Sequence, residues 1–465
     1  MTGARARRAL GVIADAAGVS IDGTLRIPHV VTRLEEALDP RDHSWSYLVL
    51  AVLRTRIPQP HDVVAFARGW QSDGLAAVIA PEVRRAARGR GPVAVVDGGT
   101  LVDVSDTSRS SYTTGIQRVA RECVAAWSRR TAVREVRFDP GIGCLRAHRD
   151  GNVPIVPFRG RFVLPEIAVE RVRSQAIASI ARFARGTTLA IGFDCIPMTT
   201  AETCGPGMPG AFAHYLSTLS RFDVVVAISS AAGEEFRGWR RMLVGAGLEG
   251  PRIEDVELPC VVGEPGEVDV RGELGIEAGE PIVLAVGSHE PRKNHLRVLE
   301  ACEMLWRRGE RFTLVMVGGN AWNTGRFDAL LVRLRAAGRP IVTRSAVDDD
   351  LVWGLYRASA VSVFVSLNEG FGLPLAESLS AGTPAVTSDF GSMAAIGRGR
   401  GALLVDPRSV PEIASALSGI LTDPELAARL VAEAASVTDD YGWDDYAVAV
   451  LARVPEVTSP PQVGV

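Results

Sequence analysis

Two carboxylates, Glu369 and Glu377, stand eight residues apart in the segment Ser366-Leu-Asn-Glu-Gly-Phe-Gly-Leu-Pro-Leu-Ala-Glu377. The segment follows the apolar run 361–365 and reads as a strand passing through a loop into a helix. Gly370 and Gly372 allow a tight turn and leave backbone amides uncovered. Pro374 suits a first helical turn, where its missing donor costs nothing. Amides at a helix start favour anions and hydroxyl oxygens, so Gly370, Phe371, Gly372 and Leu373, flanked by the two acids, can grip a ligand rich in hydroxyl groups. A second constellation, Val286-Gly-Ser-His-Glu-Pro-Arg-Lys-Asn-His295, has the same setting. Gly287 permits close approach to the backbone, and Arg292 and Lys293 set two cations beside a helix start. That pairing suits a diphosphate, because arginine takes two oxygens at once while lysine acts as a point charge.

Two earlier loops carry further candidates. Asp103-Val-Ser-Asp-Thr-Ser-Arg-Ser-Ser-Tyr-Thr-Thr-Gly-Ile-Gln-Arg-Val-Ala-Arg121 is a polar loop after a strand. Gly115 in it suits close approach of a phosphate or an acceptor. Arg118 reads equally as a residue turned into a cleft and as one in an outward salt bridge. Ile191-Gly-Phe-Asp-Cys-Ile-Pro197 is an apolar strand running into a loop, and its Asp194 reads either as a site residue or as a helix cap.

These loops need strands and helices to hold them. Residues 1–91 read as a helical extension, with apolar residues at helical spacing over 27–38 and 44–53. Its role reads as docking or packing, and no catalytic pattern appears in it. From Val93 short β-branched runs alternate with helical stretches, at 93–96, 187–191 and 222–228, the pattern of a parallel α/β sheet. A Gly-, Pro- and Glu-rich stretch marks a linker near 262–272. A second α/β unit then follows, with strands at 281–286, 312–317, 361–365, 385–387 and 402–405 and helices at 294–307, 348–360, 410–421 and 424–435. The expected division is an extension over 1–91, an α/β unit over 92–265, a second over 272–440, and a closing helix over 441–458. The tail from Ser459 to Val465 reads as frayed.

Length and composition set the limits. The chain has 465 residues, 47% hydrophobic and 23% charged, as in an ordinary globular protein and unlike a disordered one. Its 51 basic and 54 acidic residues leave a net charge of −3, which argues against a nucleic-acid partner held through phosphates. The six cysteines and seven histidines lack metal-ligand spacing, so no metal site is expected. No stretch is long and apolar enough for a membrane span, and Asp15 and Asp22 break the segment that a signal peptide would need. A cytoplasmic protein is expected, with contact at a membrane surface left open.

The acid-loop-acid segment resembles the Glu-x7-Glu motif of retaining glycosyltransferases of the GT-B fold, and among them the large group 1 family (family 4) that includes bacterial mannosyltransferases. The resemblance is strongest over 281–407, weaker over 100–260 and absent over 1–90. It implies two Rossmann-like domains facing a cleft, with the nucleotide-sugar donor on the second and the acceptor on the first. It implies Glu369 for the donor sugar and Glu377 for the ribose. Lys293 and Arg292 would neutralise the departing diphosphate, and Gly287, Gly370, Phe371, Gly372, Leu373 and Gly115 would line the donor. Asp194 and Arg118 would lie near acceptor or sugar. It further implies a hexose transfer without metal, mannose from GDP-mannose being favoured, to a glycan, lipid-linked or other hydroxyl acceptor, with the nucleotide sugar as substrate and no cofactor. The sequence departs from the family at three points. Phe193 stands where relatives carry a histidine near the sugar, Ser288 where some carry an arginine, and Ala394-Ala395 where many carry Pro-Glu. Phe193 and the extension motivate an alternative, a non-catalytic sugar-nucleotide-binding or scaffold protein on the same fold. An epimerase on that fold is a third.

Overall fold

The computed structural model describes residues 2–22, 25–88, 91–109, 114–149, 151–260, 268–319, 321–345, 347–436 and 441–454. The carboxy-terminal sheet is the simpler of two. Its strands are β8 (Ile282–Val286), β9 (Thr313–Val317), β10 (Ile341–Arg344), β11 (Val361–Phe364), β12 (Ala385–Ser388) and β13 (Ala402–Val405), numbered after the seven of the first sheet. They run parallel in the order β10-β9-β8-β11-β12-β13. Helices cover both faces, which is why β8, β9, β11 and β12 are almost wholly buried and read as continuous apolar runs. The order reverses direction between β8 and β11. In a sheet of this kind a crevice opens outside the carboxyl ends of the two strands at that switch. The loops after β8 and β11 are the two constellations picked out above.

The first sheet comprises β1 (Ala94–Asp103), β2 (Val133–Asp139), β3 (Cys144–Ala147), β4 (Pro154–Leu164), β5 (Thr187–Gly192), β6 (Val224–Ala227) and β7 (Arg252–Asp255). β1 pairs in parallel with both β2 and β4, and β4 continues through β5 and β6 to β7. β3 is the antiparallel link between β2 and β4. β1 outruns the expected 93–96 because its register slips at Asp97 and the strand resumes at Thr100. The Asp97-Gly-Gly sequence that looks like a strand end is a bulge. Together the two sheets and their helices form the two Rossmann-like lobes of a GT-B architecture.

Helices Thr2–Ala17, Ile27–Ala37, His43–Arg54, Pro60–Asp73 and Leu75–Ala87 make up the extension. They share one hydrophobic core with the first lobe. Every residue from Ser44 to Leu53 is buried. The Tyr47 hydroxyl donates to the Pro157 carbonyl of β4 at 3.1 Å, and the Trp45 and Phe158 rings lie 5.3 Å apart. Of the two roles left open for this region, packing is the one the structure displays. The helix Trp443–Leu451 returns from the second lobe to the first. There it lies on the helix Gly115–Arg130, and the Trp127 indole donates to the Ala447 carbonyl at 2.7 Å. The linker expected near 262–272 lies partly outside the described residues. Its last part opens the helix Val270–Leu274, capped by Asp269. The tail 459–465 also lies outside them.

Candidate active site between the lobes

Glu369 follows β11, and Arg292 and Lys293 follow β8, so the switch point brings them together. Arg292 reaches Glu369 at 2.6 Å and Lys293 reaches it at 2.7 Å, with all three side chains mostly buried. Arg292 also pairs with Glu290 at 2.5 Å and donates to the Asn368 carbonyl at 2.8 Å. Burial opposes ionisation of Glu369, yet the two cations hold its pKa down at about 2. Burial likewise opposes the charge of Arg292, but Glu369 and Glu290 raise its pKa. The site therefore keeps two fixed cations and a fixed carboxylate in one buried cluster. Gly287 has φ +142°, and the Lys293 stem lies against it, 3.5 Å from where a β-carbon would stand. A β-carbon there would only touch the lysine, so it is the backbone conformation, not crowding, that calls for glycine. His295, buried beside this cluster, is pushed down to about 3 by burial first and by His289 and Lys293 next, so it is neutral.

The turn between the acids meets the first lobe directly. A β-carbon on Gly370 would stand 2.2 Å from the Phe193 carbonyl oxygen. The Ser229 hydroxyl donates to the Gly370 carbonyl. Gly372, at φ +115°, precedes the helix Leu373–Ser380, on which Glu377 sits. Phe371 turns its ring into the core and is 4% exposed. Leu373 touches Gly115, the first residue of helix Gly115–Arg130. That helix is capped by Thr114 and Gln117, whose side-chain oxygen accepts from the Thr114 amide at 2.9 Å. The preceding residues Ser110 to Thr113 lie outside the described residues.

Arg118, one turn into that helix, settles between its two readings. It crosses into the cleft and pairs with Glu377. Tyr356 donates its hydroxyl to the other Glu377 oxygen at 3.0 Å. Burial raises the Glu377 pKa, with Arg118 and Tyr356 pulling it back. Asp194 combines its two readings. Its carboxylate accepts from the Ile196 amide at 3.0 Å, a local turn, yet it is buried close enough to Arg292 to feel its charge. Burial pushes it up to about 6, against the pull of Arg292. Phe193 is 4% exposed. It offers no polar atom where the resemblance leads one to expect a histidine, and Asp194 and Glu235 are acids nearby.

Sequence reasoning missed four contributors. Tyr356 was hidden inside a helix whose aromatic face looks like core. Glu235, on the helix Ser230–Gly245, accepts from the Cys195 amide at 2.6 Å and from Asn368 at 3.1 Å, tying the lobes together. Trp322 donates across the cleft to the Thr203 carbonyl at 2.8 Å. Arg173 is fully buried and pairs with Asp103, Asp106 and Glu166, fixing the loop after β1. Only the Asp103-x-x-Asp106 spacing hinted at the last. Among the described residues no group of His, Cys, Asp or Glu could hold a metal ion, and no helix is long and apolar enough to cross a membrane.

Residues 269–437 match the family described as glycosyl transferases group 1. Over 333 residues the chain is 26% identical to a serotype-specific mannosyltransferase, WbdA of Escherichia coli, covering 62% of this chain and 38% of the relative. It is 32% identical over 241 residues to a D-inositol 3-phosphate glycosyltransferase of Acidothermus cellulolyticus, covering 49% of this chain and 53% of the relative. The chain thus spans only about two fifths to a half of the length of these relatives. Among solved structures it is similar to sucrose-phosphate synthase from Thermosynechococcus elongatus (TM-score 0.58, 17% identity, 76% of this chain and 98% of the other). It is also similar to HepE of Anabaena in complex with UDP and glucose (TM-score 0.57, 14% identity, 77% and 99%). At those identities the likeness speaks for the fold. The matched residues are those of the second lobe, with both motif loops at the switch point, and over them the chain is similar to the glycosyl transferases group 1 family.

Proposed function

We propose that the chain is a retaining glycosyltransferase that moves a hexose from a nucleotide diphosphate sugar to a hydroxyl acceptor, without a metal ion. One observation carries this reading: Glu369, Arg292 and Lys293 form a single buried cluster at the β8–β11 switch. A donor diphosphate entering the crevice takes Arg292 and Lys293, and Glu369, released from them, turns to the sugar hydroxyls. In the transfer the bond from the anomeric carbon to the phosphate oxygen breaks, and its electron pair leaves with the diphosphate. The acceptor oxygen bonds to the same face of the sugar, and its proton passes to a departing phosphate oxygen. Negative charge grows on the diphosphate in the transition state, where fixed cations lower the barrier most. They do the neutralising that a metal ion would otherwise do.

Mannose from GDP-mannose is the favoured donor, on the likeness to a relative named as a mannosyltransferase. The acceptor is a carbohydrate or lipid-linked hydroxyl, faced by the first lobe. The test is release of nucleoside diphosphate from GDP-mannose, UDP-glucose and UDP-N-acetylglucosamine, with and without acceptor extract, in excess chelator. Turnover of one donor, unchanged by chelator, is expected. Turnover abolished by chelator and restored by magnesium or manganese overturns the metal-free mechanism. Binding without turnover of any donor favours the scaffold reading.

A further inference from the structure

The carboxylate assigned to the ribose is already paired within the protein. One oxygen of Glu377 holds Arg118 from the opposite lobe, and the other accepts from Tyr356. The pair is enclosed: the arginine side chain is 22% exposed and the glutamate side chain 10%. A ribose offers Glu377 two neighbouring hydroxyl groups. It can bind there only by replacing a charge-assisted bond that also ties the lobes together. The arginine has somewhere to remain when displaced, because its guanidinium lies over the Trp353 ring at 5.4 Å and over the Trp443 ring at 5.9 Å. Trp353 belongs to the second lobe, and Trp443 opens the helix that returns to the first. A cation between two rings keeps part of its stabilisation without its carboxylate.

We propose that Arg118 competes with the donor's ribose for Glu377, so that binding of the nucleotide and the closed union of the lobes are exchanged one for the other at a single carboxylate. The inference rests on the reading of Glu377 as the ribose ligand. It makes Arg118 a residue that sets nucleotide affinity and release, where a substrate-binding arginine would only add affinity. The sign of its effect follows. A state held by the Arg118–Glu377 pair does not bind ribose, and the apparent affinity falls by the share of molecules so held. Removing the arginine returns that share.

The experiment is calorimetric titration with GDP and UDP, carrying forward the tighter binder and its 2′,3′-dideoxy analogue, on the wild type, Arg118→Met, Arg118→Lys and Glu377→Gln. Methionine keeps the packing against the tryptophans without the charge. The expected result is that Arg118→Met tightens nucleotide binding by roughly five- to 150-fold, the usual span of a coupling between two equilibria. Arg118→Lys should stay near the wild type, and Arg118→Met should raise the radius of gyration of the ligand-free protein in X-ray scattering. Arg118→Met binding that is weaker or unchanged overturns the proposal, provided Glu377→Gln and the dideoxy analogue both lose affinity. If those two bind like the wild type with the ordinary nucleotide, the ribose reading itself fails and the proposal falls with it. Melting curves of each variant identify any that fail to fold, and Arg118→Gln, which also lacks the charge, then replaces Arg118→Met with the same expected tightening.

Discussion

Lys293 pairs with Glu369 at 2.7 Å and lies 4.8 Å from the Phe364 ring centre. Its contact with that ring keeps the ammonium beside the loop when a diphosphate draws it from Glu369. Lys293→Ala should lower turnover about a hundred- to a thousand-fold. The Michaelis constant for donor should rise much less, because the lost interaction is strongest in the transition state. Steady-state kinetics on the folded variant checks this, and wild-type turnover would remove the phosphate role. Arg292→Ala should act more mildly, since part of the guanidinium is committed to Glu290 and the Asn368 carbonyl. Glu369 carries a prediction in pH. Its folded pKa of about 2 lies below its ordinary 4.5, so its ionisation stabilises the fold by about 3 kcal/mol at most. That contribution is fully present above pH 4.5 and is lost as pH falls through about 2. Glu369→Gln should flatten the dependence of unfolding free energy on pH between those limits, as measured by urea unfolding. An unchanged slope would show that the carboxylate is not held by its cations.

At the scale of elements, the strand–loop–helix settings of both motifs were legible because their signals are local. The apolar runs 281–286 and 361–365 show burial on both faces, and Gly287, Gly370, Gly372 and Pro374 mark the turns. What was not legible is whatever depends on a partner far away in the chain. Arg118 and Glu377 are 259 residues apart, and nothing local says that one faces the other. β2 mixes four charged residues with three apolar ones, and β4 carries Pro154 and Pro157, so neither resembles the apolar central strands. Gly370 shows both sides of the matter. The sequence marks it as a turn residue, but the structure adds that the Phe193 carbonyl fills the space a side chain would need. A backbone carbonyl cannot swing aside as a flexible side-chain tip would. Gly370→Ala should therefore destabilise the closed form by about 1–3 kcal/mol and push the lobes apart. A larger radius of gyration in scattering, with a fall in turnover, checks it, and an unchanged radius with full turnover would contradict the close approach.

The whole molecule depends on the extension as much as on the two sheets. Besides Tyr47 and Trp45, the Ser179 hydroxyl donates to the Pro58 carbonyl at 2.5 Å and the Ile57 amide donates to the Gly143 carbonyl at 2.9 Å. Arg185 stacks on Trp45 at 4.0 Å and donates to Ser44 at 2.8 Å. A partner-docking module would keep its apolar face for the partner, whereas here that face is used up inside the first lobe. Deleting residues 1–91 should leave a protein that aggregates, because β4 and the helix Arg171–Phe183 would lose their cover. Within the intact chain, Leu50→Ala should cost about 2–5 kcal/mol and lower the melting temperature of the first lobe in a single calorimetric transition. A soluble truncated protein with an unchanged melting temperature would instead make the extension an independent domain.

The returning helix has a consequence for how the protein is made. Tyr446, Ala447 and Val450 are fully buried in the first lobe, and the Trp127 indole finds its acceptor only at Ala447. A ribosome adds residues one at a time and finishes the whole second lobe before it reaches them. Until then the groove on helix Gly115–Arg130 stays uncovered and the amino-terminal half of the nascent chain stays unfinished. The lobe that begins first is completed last.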